Sequence, residues 1–324
     1  MQGGSPLSLA VIALGGNAIA PAGTAGTADE QTETISRAMD QVARLLQGGE
    51  RGLVITHGNG PQVGNLLLKN ELARDIVPPM PLDWCVAQTQ ATIGFTIANT
   101  LGPALEWHGV ARAVVPLVSR VLVDAADPAF NSPQKPIGAH VTDEAYVAAA
   151  RAKGVAFVET SRGWRRVVPS PSPIASLELE TVRSLLDGGA IVVANGGGGV
   201  PTVRDADDRL HGVEAVIDKD LAGALLAVEL GADRLAILTD VAGVAIDFGG
   251  PAERWLEEVD VVELREHARR GAFGAGSMGP KVEAACRFVE GTGGTAVIAR
   301  LEDALDAVEG RVGTRVVSRR PFSG

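Results

Sequence analysis

The chain has 324 residues and a net charge of −10, and its lysines and arginines are scattered, which argues against a nucleic-acid-binding surface. No apolar stretch approaches the ~20 residues of a transmembrane helix, the first ten residues lack a signal-peptide pattern, and the two cysteines are not spaced as a metal-ligand pair. With 46% hydrophobic residues available for a core, the composition predicts a compact protein. The lack of a signal-peptide pattern and the presence of only two cysteines predict that it is cytoplasmic.

Apolar periodicity predicts strands that alternate with helices along the chain. In the first two thirds, the predicted strands span residues 7–14, 52–57, 111–115 and 191–194, and the predicted helices span 29–46, 65–73 and 86–105. In the remainder, helices are predicted over 221–230, 262–269 and 280–290, and strands over 234–238 and 295–299. This alternation predicts an α/β fold with a mostly parallel sheet that is covered on both faces.

One long stretch, residues 119–172, lacks a clean period and is punctuated by prolines. Because a structureless loop of this length is uncommon in a compact domain, we interpret it as an inserted subdomain. The change in character after Gly199 predicts a hinge between an amino lobe, 7–211, and a carboxyl lobe, 212–317. The tails, 1–6 and 318–324, carry no inferred function.

Three glycine clusters each follow a predicted strand, and each is a candidate anion-binding turn. A single glycine turn is more often structural, but open α/β sheets bind ligands at the carboxyl ends of their strands, so three such turns favour a shared site. His57, which ends one of these strands, is interpreted as a structural group rather than a base. The candidate phosphate- and substrate-binding residues are Gly15, Gly16, Asn17, Gly58, Asn59, Gly60, Gly197 and Gly198.

Lysine is rare, with five among 29 basic residues, so positions that kept it are candidates for a compact ammonium group. Lys69 and Lys153 lie in polar helical settings and are interpreted as solvated. Lys135 is flanked by Pro133 and Pro136, which suits either a presented charge or an exposed loop lysine.

Two further lysines stand at predicted helix starts, where a cation opposes the helix dipole. Lys219 lies between Asp218 and Asp220, either of which fits the helix N-cap, but capping does not explain the lysine. Lys281 follows Pro280, a residue suited to the first helical position. A phosphate bound at the helix N-terminus would make a lysine there favourable, so the two lysines are candidate phosphate ligands.

Several long motifs, in order from about Leu9 to Val317, resemble those of the carbamate kinases in the amino acid kinase superfamily. The motifs span residues 13–18, 57–65, 135–138, 163–171, 196–199 and 212–220. Kinases of acylated amino acids carry a lysine in the first strand, and here residues 11–14 read Val-Ile-Ala-Leu. Its absence, with Lys135 supplied instead, is a further point of resemblance to carbamate kinases.

The resemblance implies an open three-layer α/β/α sandwich with a small protruding subdomain, an acceptor-binding amino lobe and a nucleotide-binding carboxyl lobe, usually in a homodimer. It also implies reversible phosphoryl transfer between ATP and carbamate, giving ADP and carbamoyl phosphate. Mg²⁺ is expected on the nucleotide phosphates, without direct protein ligands. No nucleic-acid or membrane partner is expected.

The resemblance also assigns roles to residues. Lys219 and Lys281 are expected to hold the transferred phosphoryl group, Lys135 to close over it, and Asp220 to organise the lysines. The backbone amides of Gly15–Asn17 and Gly58–Gly60 are expected to cradle the acceptor and the γ-phosphate. The expected nucleotide-binding residues are Thr239, Asp240, Val241, Gly243, Val244, Met278 and Gly279.

Two positions depart from the family pattern, Trp84 and Asn195. Trp84 bears on either the dimer surface or the acceptor pocket, so the identity of the acceptor stays open. One alternative is therefore a kinase of the same fold that acts on another small carboxylate. The other is a catalytically idle nucleotide-binding module, which the complete set of lysines argues against.

Overall fold

A computed structural model describes residues 8–16, 19, 26–47, 52–59, 61–274 and 278–319. The strands are β1 (Leu9–Leu14), β2 (Gly52–His57), β3 (Val114–Pro116), β4 (Arg120–Val123), β5 (Lys135–Val141), β6 (Ala156–Thr160), β7 (Gly163–Val168), β8 (Pro173–Ser176), β9 (Ile191–Val193), β10 (Val200–Arg204), β11 (Leu210–Gly212), β12 (Arg234–Thr239), β13 (Val244–Ile246), β14 (Arg254–Leu256), β15 (Glu258–Asp260), β16 (Thr295–Arg300) and β17 (Thr314–Val317). The helices are α1 (Ala28–Leu46), α2 (Gln62–Ala73), α3 (Leu82–Trp107), α4 (Glu144–Arg151), α5 (Leu179–Asp187), α6 (Lys219–Leu230), α7 (Val261–Arg269), α8 (Met278–Thr292) and α9 (Ala304–Val308).

The central sheet has eight strands in the order β15-β17-β16-β12-β1-β2-β9-β3. Every pair of neighbours in it is parallel except β16 and β17. The middle strands are apolar along their whole length, as in β1, whose sequence is LAVIAL. Such runs are typical of parallel strands that are buried on both faces. The predicted mostly parallel sheet is therefore confirmed.

Side chains that alternate along β1 divide between two cores, one on each face of the sheet. Ile12 packs with residues of α1, α3 and α9, and Val11 packs with residues of α5, α6, α7 and α8. A layer of helices thus covers each face, and the predicted three-layer α/β/α sandwich is confirmed.

Most predicted elements of the central sheet lie within a few residues of their observed bounds. Strand 52–57 is the observed β2, and α1 begins where Thr27 and Glu30 form a capping box. The strand predicted at 111–115 is wrong in its bounds, because only residues 114–116 pair with β9. Seven strands outside the periodic segments were not predicted, and each has three to five residues: β8, β10, β11, β13, β14, β15 and β17.

Three smaller sheets accompany the central one. The first has four strands in the order β11-β10-β4-β8, the second has three in the order β5-β7-β6, and the third is the pair β13-β14. Residues 135–168, which form the three-stranded sheet and α4, are called the small subdomain below. The stretch predicted as an insertion, 119–172, also contains β4, which pairs with β8 and β10. The division into lobes at residue 211 remains a prediction.

Among the described residues, no helix is both long enough and apolar enough to pass through a membrane.

Candidate active site

The three glycine clusters meet at the carboxyl ends of β1, β2 and β9, which are adjacent in the central sheet. A Cβ on Gly58 would lie 3.2 Å from Lys219 Cδ and 3.6 Å from Gly16 N. A Cβ on Gly197 would lie 3.0 Å from the side-chain nitrogen of Asn59. The clusters are therefore close-packed against one another, and Lys219 passes directly beside the second one.

The backbone amides of several of these glycines are already used inside the protein. Gly15 N–H donates to Leu238 O at 2.8 Å, and Gly58 N–H donates to Leu14 O at 3.1 Å, so both continue the sheet ladder. Gly198 N–H donates to Asn195 O at 3.1 Å. Each of these three amides is committed to a carbonyl, which argues against the N–H groups of Gly15 and Gly58 as the cradle of an anion, and the assignment of Gly15, Gly58 and Gly198 to the binding site stays a prediction. What these glycines provide is close approach.

Asn59 offers a side-chain donor that no described residue of the protein uses. The side chain is 7% exposed, and its Nδ2 atom has no hydrogen-bond partner among the described residues. A buried donor without a partner is costly, so this amide suits an acceptor oxygen on a ligand. Asn17 and Gly60, from the same clusters, lie outside the described residues.

Three lysines from distant parts of the chain meet on two aspartates. Lys219 Nζ pairs with Asp220 Oδ1, and Lys281 Nζ lies 3.0 Å from Asp220 Oδ2. Lys135 Nζ, from the small subdomain, pairs with Asp218 Oδ2. These five residues, called the lysine cluster below, come from β5, the start of α6 and the first turn of α8.

Asp218 has two functions at the start of α6. Its Oδ1 atom accepts from the backbone N–H of Asp220 at 2.9 Å and of Leu221 at 3.3 Å, so it is the helix N-cap. Its other oxygen binds Lys135. Helix capping therefore accounts for the contacts of Oδ1 only, and Oδ2 holds the Lys135 ammonium group near the helix N-terminus.

The electrostatics of the lysine cluster favour an anion. Burial raises the pKa of Asp220, but the ammonium groups of Lys219 and Lys281 outweigh that effect and hold the pKa below its ordinary value. Burial lowers the pKa of Lys219, and the Asp220 carboxylate opposes that change. With all five groups ionised, the three ammonium groups exceed the two carboxylates by one positive charge, at a helix N-terminus.

His57 lies beneath this cluster and is uncharged. Burial, with a smaller contribution from Lys219, lowers its pKa to about 4. Its Nδ1 atom lies 2.8 Å from Gly58 O, and because a carbonyl only accepts, Nδ1 carries the proton. A Cβ on Gly196 would overlap the imidazole ring. These contacts agree with a structural rather than a basic role.

A cavity of about 730 Å³ opens beside the lysine cluster and shares Lys281 with it. Of the expected nucleotide-binding residues, five line this cavity: Thr239, Asp240, Val241, Gly243 and Met278. Val244 does not line it, because it is fully buried and its N–H donates to Thr314 Oγ1 at 2.8 Å. Gly279 does not line it either, and its N–H donates to Gly274 O at 3.0 Å.

The aromatic wall of this cavity was not predicted. Phe248, in the segment that connects β13 to β14, and Trp255, on β14, pack edge to face with ring centroids 5.9 Å apart. Both line the cavity, together with Phe273. Aromatic residues make up only 4% of the chain, so three of them within residues 248–273 is a sequence signal that could have pointed to this cavity.

Asn195, one of the two departures from the family pattern, is held in a buried polar network. Its backbone is left-handed, with φ +50°, a conformation that asparagine tolerates. Its N–H donates to Ser119 Oγ at 2.6 Å, its carbonyl accepts from Thr56 Oγ1 at 3.0 Å, and its side chain donates to Ser176 Oγ at 3.0 Å. Trp84, the other departure, is 61% exposed on α3.

Comparison with known proteins gives the same family over nearly the whole chain. Residues 8–300 match the Amino acid kinase family. The carbamate kinase of Thermococcus kodakarensis is 48% identical over 310 residues, which cover 95% of this chain and 98% of that protein. Carbamate kinase 2 of Enterococcus faecalis is 41% identical, with 97% of this chain and 100% of that protein covered.

A solved structure of the carbamate kinase from Giardia lamblia bound to AMP-PNP superposes with a TM-score of 0.88. It is 39% identical to this chain, and the match covers 97% of this chain and 99% of that one. With the family match over residues 8–300 and the identity to curated relatives, the chain belongs to the amino acid kinase family and, within it, to the carbamate kinases.

Proposed function

We propose that this protein catalyses reversible phosphoryl transfer between ATP and carbamate, which gives ADP and carbamoyl phosphate. The single observation that carries the proposal is the meeting of Lys135, Lys219 and Lys281 on Asp218 and Asp220. That cluster borders a cavity of about 730 Å³ with an aromatic wall, which suits a nucleotide. The relatives named carbamate kinase support the choice of acceptor.

The nucleotide enters the cavity with its base against the aromatic wall and its phosphates toward Lys281. Phosphoryl transfer asks little covalent chemistry of a protein and depends on alignment and on charge compensation at the transferred group. The lysine cluster supplies that compensation from three directions. Asp220 fixes two of the ammonium groups in advance, so little reorganisation is needed when the charge moves.

The acceptor needs no base, because the oxygen of carbamate is already anionic. A neutral His57 with a pKa of about 4 fits this chemistry, because near neutral pH its one ring proton stays on Nδ1, bonded to Gly58 O, and none is exchanged with the acceptor. The Nδ2 atom of Asn59, which has no partner among the described residues, is positioned among the glycine clusters to donate to a carboxylate oxygen. A neutral donor of this kind binds an anion without adding a further charge.

Mg²⁺ is proposed to bind the nucleotide phosphates and water, where it neutralises charge on the β- and γ-phosphates. The donor set of the cluster fits this arrangement. Both oxygens of Asp220 bind lysines, and the oxygens of Asp218 bind Lys135 and backbone N–H groups. No group of three or more His, Cys, Asp or Glu side chains able to hold a metal occurs in the part of the chain that the structure describes.

The proposal is tested by ATP formation from ADP with a series of phosphoryl donors, followed by a luminescence assay for ATP. Carbamoyl phosphate should give the highest kcat/KM, and acetyl phosphate should give a lower value. A clear preference for acetyl phosphate or another acyl phosphate would replace carbamate with a different small carboxylate. Nucleotide binding without turnover of any donor would favour an idle binding module.

We also propose that two copies form a homodimer in the cytoplasm. Trp84 and Phe95 lie eleven residues apart on α3, hence on one face of the helix, and are 61% and 62% exposed. Large exposed apolar side chains on one helix face favour a protein partner. Both cysteines are buried free thiols, which suits a reducing compartment. Light scattering should give twice the chain mass of 33.4 kDa, and a mass of one chain would contradict the dimer.

A further inference from the structure

The strand that carries Lys135 is packed closely on α2. Gly138, three residues after Lys135 on β5, meets Gly64 in the first turn of α2. A Cβ on Gly64 would overlap the Gly138 backbone, and Gly138 itself has φ +68°, which favours glycine. Two backbones in contact leave little freedom for that part of β5.

A second contact joins the other end of α2 to the same subdomain. Glu71 Oε1 accepts from Arg166 Nη1 on β7 at 2.6 Å, and Glu71 Oε2 accepts from the Tyr146 hydroxyl on α4 at 2.6 Å. One carboxylate therefore ties α2 to both a strand and the helix of the small subdomain. The hydroxyl remains a donor, because burial and the bond to Glu71 raise the pKa of Tyr146 to about 12.

The polar contacts of Glu71 stand out because, among the described residues, the small subdomain makes few side-chain hydrogen bonds or ion pairs with the rest of the chain. Among the described residues, the side-chain hydrogen bonds and ion pairs from residues 135–168 to the rest of the chain go to only two groups, Asp218 and Glu71. Asp218 belongs to the lysine cluster. Glu71 is thus the polar anchor of the subdomain outside the site.

We propose that Glu71, with its partners Arg166 and Tyr146, is a positioning residue that sets the place of Lys135 over the lysine cluster. This inference rests on the proposed function. Helix α2 starts just after the Gly58–Asn59 turn and contacts β5 near Lys135. Toward its other end, it contacts the small subdomain again through Glu71. The helix therefore links the acceptor side of the site to the lysine that closes over it.

The test is a double-mutant cycle between Glu71→Gln and Lys135→Ala, measured as kcat/KM for carbamoyl phosphate. A glutamine amide can accept from only one of the two donors, and its NH₂ group then faces the other, so the anchor is weakened without loss of volume. Glu71→Gln alone should lower kcat/KM about tenfold or more, the scale of a displacement below 1 Å. In the Lys135→Ala background, the same change should cost less than about twofold.

Three further measurements keep the result specific. The Kd for ADP should stay within about twofold of the wild type in Glu71→Gln, because the nucleotide cavity does not touch α2. Glu258→Gln is the matched control, since it removes the Arg315 pair at the far edge of the central sheet. Tyr146→Phe keeps the ring against Phe157 and should give a smaller loss than Glu71→Gln, so it serves if the latter fails to fold.

An equal loss from Glu71→Gln in the wild-type and Lys135→Ala backgrounds would overturn the proposal, because the effect would then bypass Lys135. Unchanged kcat/KM in folded Glu71→Gln would overturn it as well. These failures differ from failure of the proposed function, which would appear as absent turnover in the wild type.

Discussion

At the scale of single residues, Asp220 is the centre of the site. It is 2% exposed, and each of its oxygens binds one of two lysines that lie 62 positions apart in the sequence. Breaking a buried ion pair is far more costly than losing an exposed one, because the remaining charge is left uncompensated. The role of Asp220 was predicted only from the family resemblance. Lys219 and Lys281 were predicted from the residues themselves, because a cation is unfavourable at a helix start.

His57 leads to a prediction about stability and pH. Its pKa is about 4 in the folded protein and 6.5 as the ordinary value, so the unfolded chain takes up the proton first as the pH falls. The stabilisation is present above pH 6.5 and is lost as the pH falls toward 4, by up to about 3 kcal/mol. Urea unfolding of the wild type between pH 7 and pH 5 should show this decline, and His57→Asn should flatten it.

The relevant comparison is between the two slopes, since other groups also titrate in this range. An identical decline in the wild type and in folded His57→Asn would contradict the assignment of the effect to this histidine.

At the scale of elements, glycine turns at strand ends bring helix and strand backbones into contact. The sequence predicted where these turns lie, because each follows an apolar run. It did not predict how their backbone amides are used. Gly15 N–H donates to a carbonyl of β12 and Gly58 N–H to a carbonyl of β1, and both of these acceptors are far from their donors in the sequence. Nor did it predict that Lys135 meets Asp218, because 83 residues separate them and their contact depends on how the small subdomain packs on α2.

Gly198 provides a prediction at this scale. Its φ is +94°, and a Cβ there would overlap the carbonyl of Ile217, just before the lysine cluster. Gly189 is a matched control, because its φ is +82° but a Cβ at that position would meet no atom of the described residues within 4 Å. Gly189→Ala should lower the free energy of unfolding by about 1 kcal/mol through backbone strain alone.

Gly198→Ala should lose about 1–3 kcal/mol more than Gly189→Ala, because the methyl group must displace packed backbone. Urea denaturation of both variants measures the difference. Equal losses would mean that the turn relaxes around the added methyl group and that close packing is not required there.

At the scale of the whole molecule, one sheet brings the glycine turns and the start of α6 to a common edge. The order β12-β1-β2-β9 puts the three glycine turns and the cavity beside the lysine cluster next to one another at the carboxyl ends of parallel strands. Alternating apolar segments were enough to predict the middle strands of this sheet. The short strands β15 and β17 toward one edge of it, and the short strands of the smaller sheets, were missed, because three to five residues carry too little periodicity and their pairing is set by tertiary contacts.

The central claim is that lysines from separate elements converge to stabilise one transferred phosphoryl group. The most direct measurement is the rate of ATP formation from ADP and carbamoyl phosphate by the wild type, Lys219→Ala and Lys281→Ala, with the exposed Lys153→Ala as control. We expect each cluster variant to lose at least ~10²-fold in kcat, the scale for removal of one preorganised charge-stabilising donor. Lys153→Ala should match the wild type. Undiminished kcat in folded Lys219→Ala or Lys281→Ala would contradict the account.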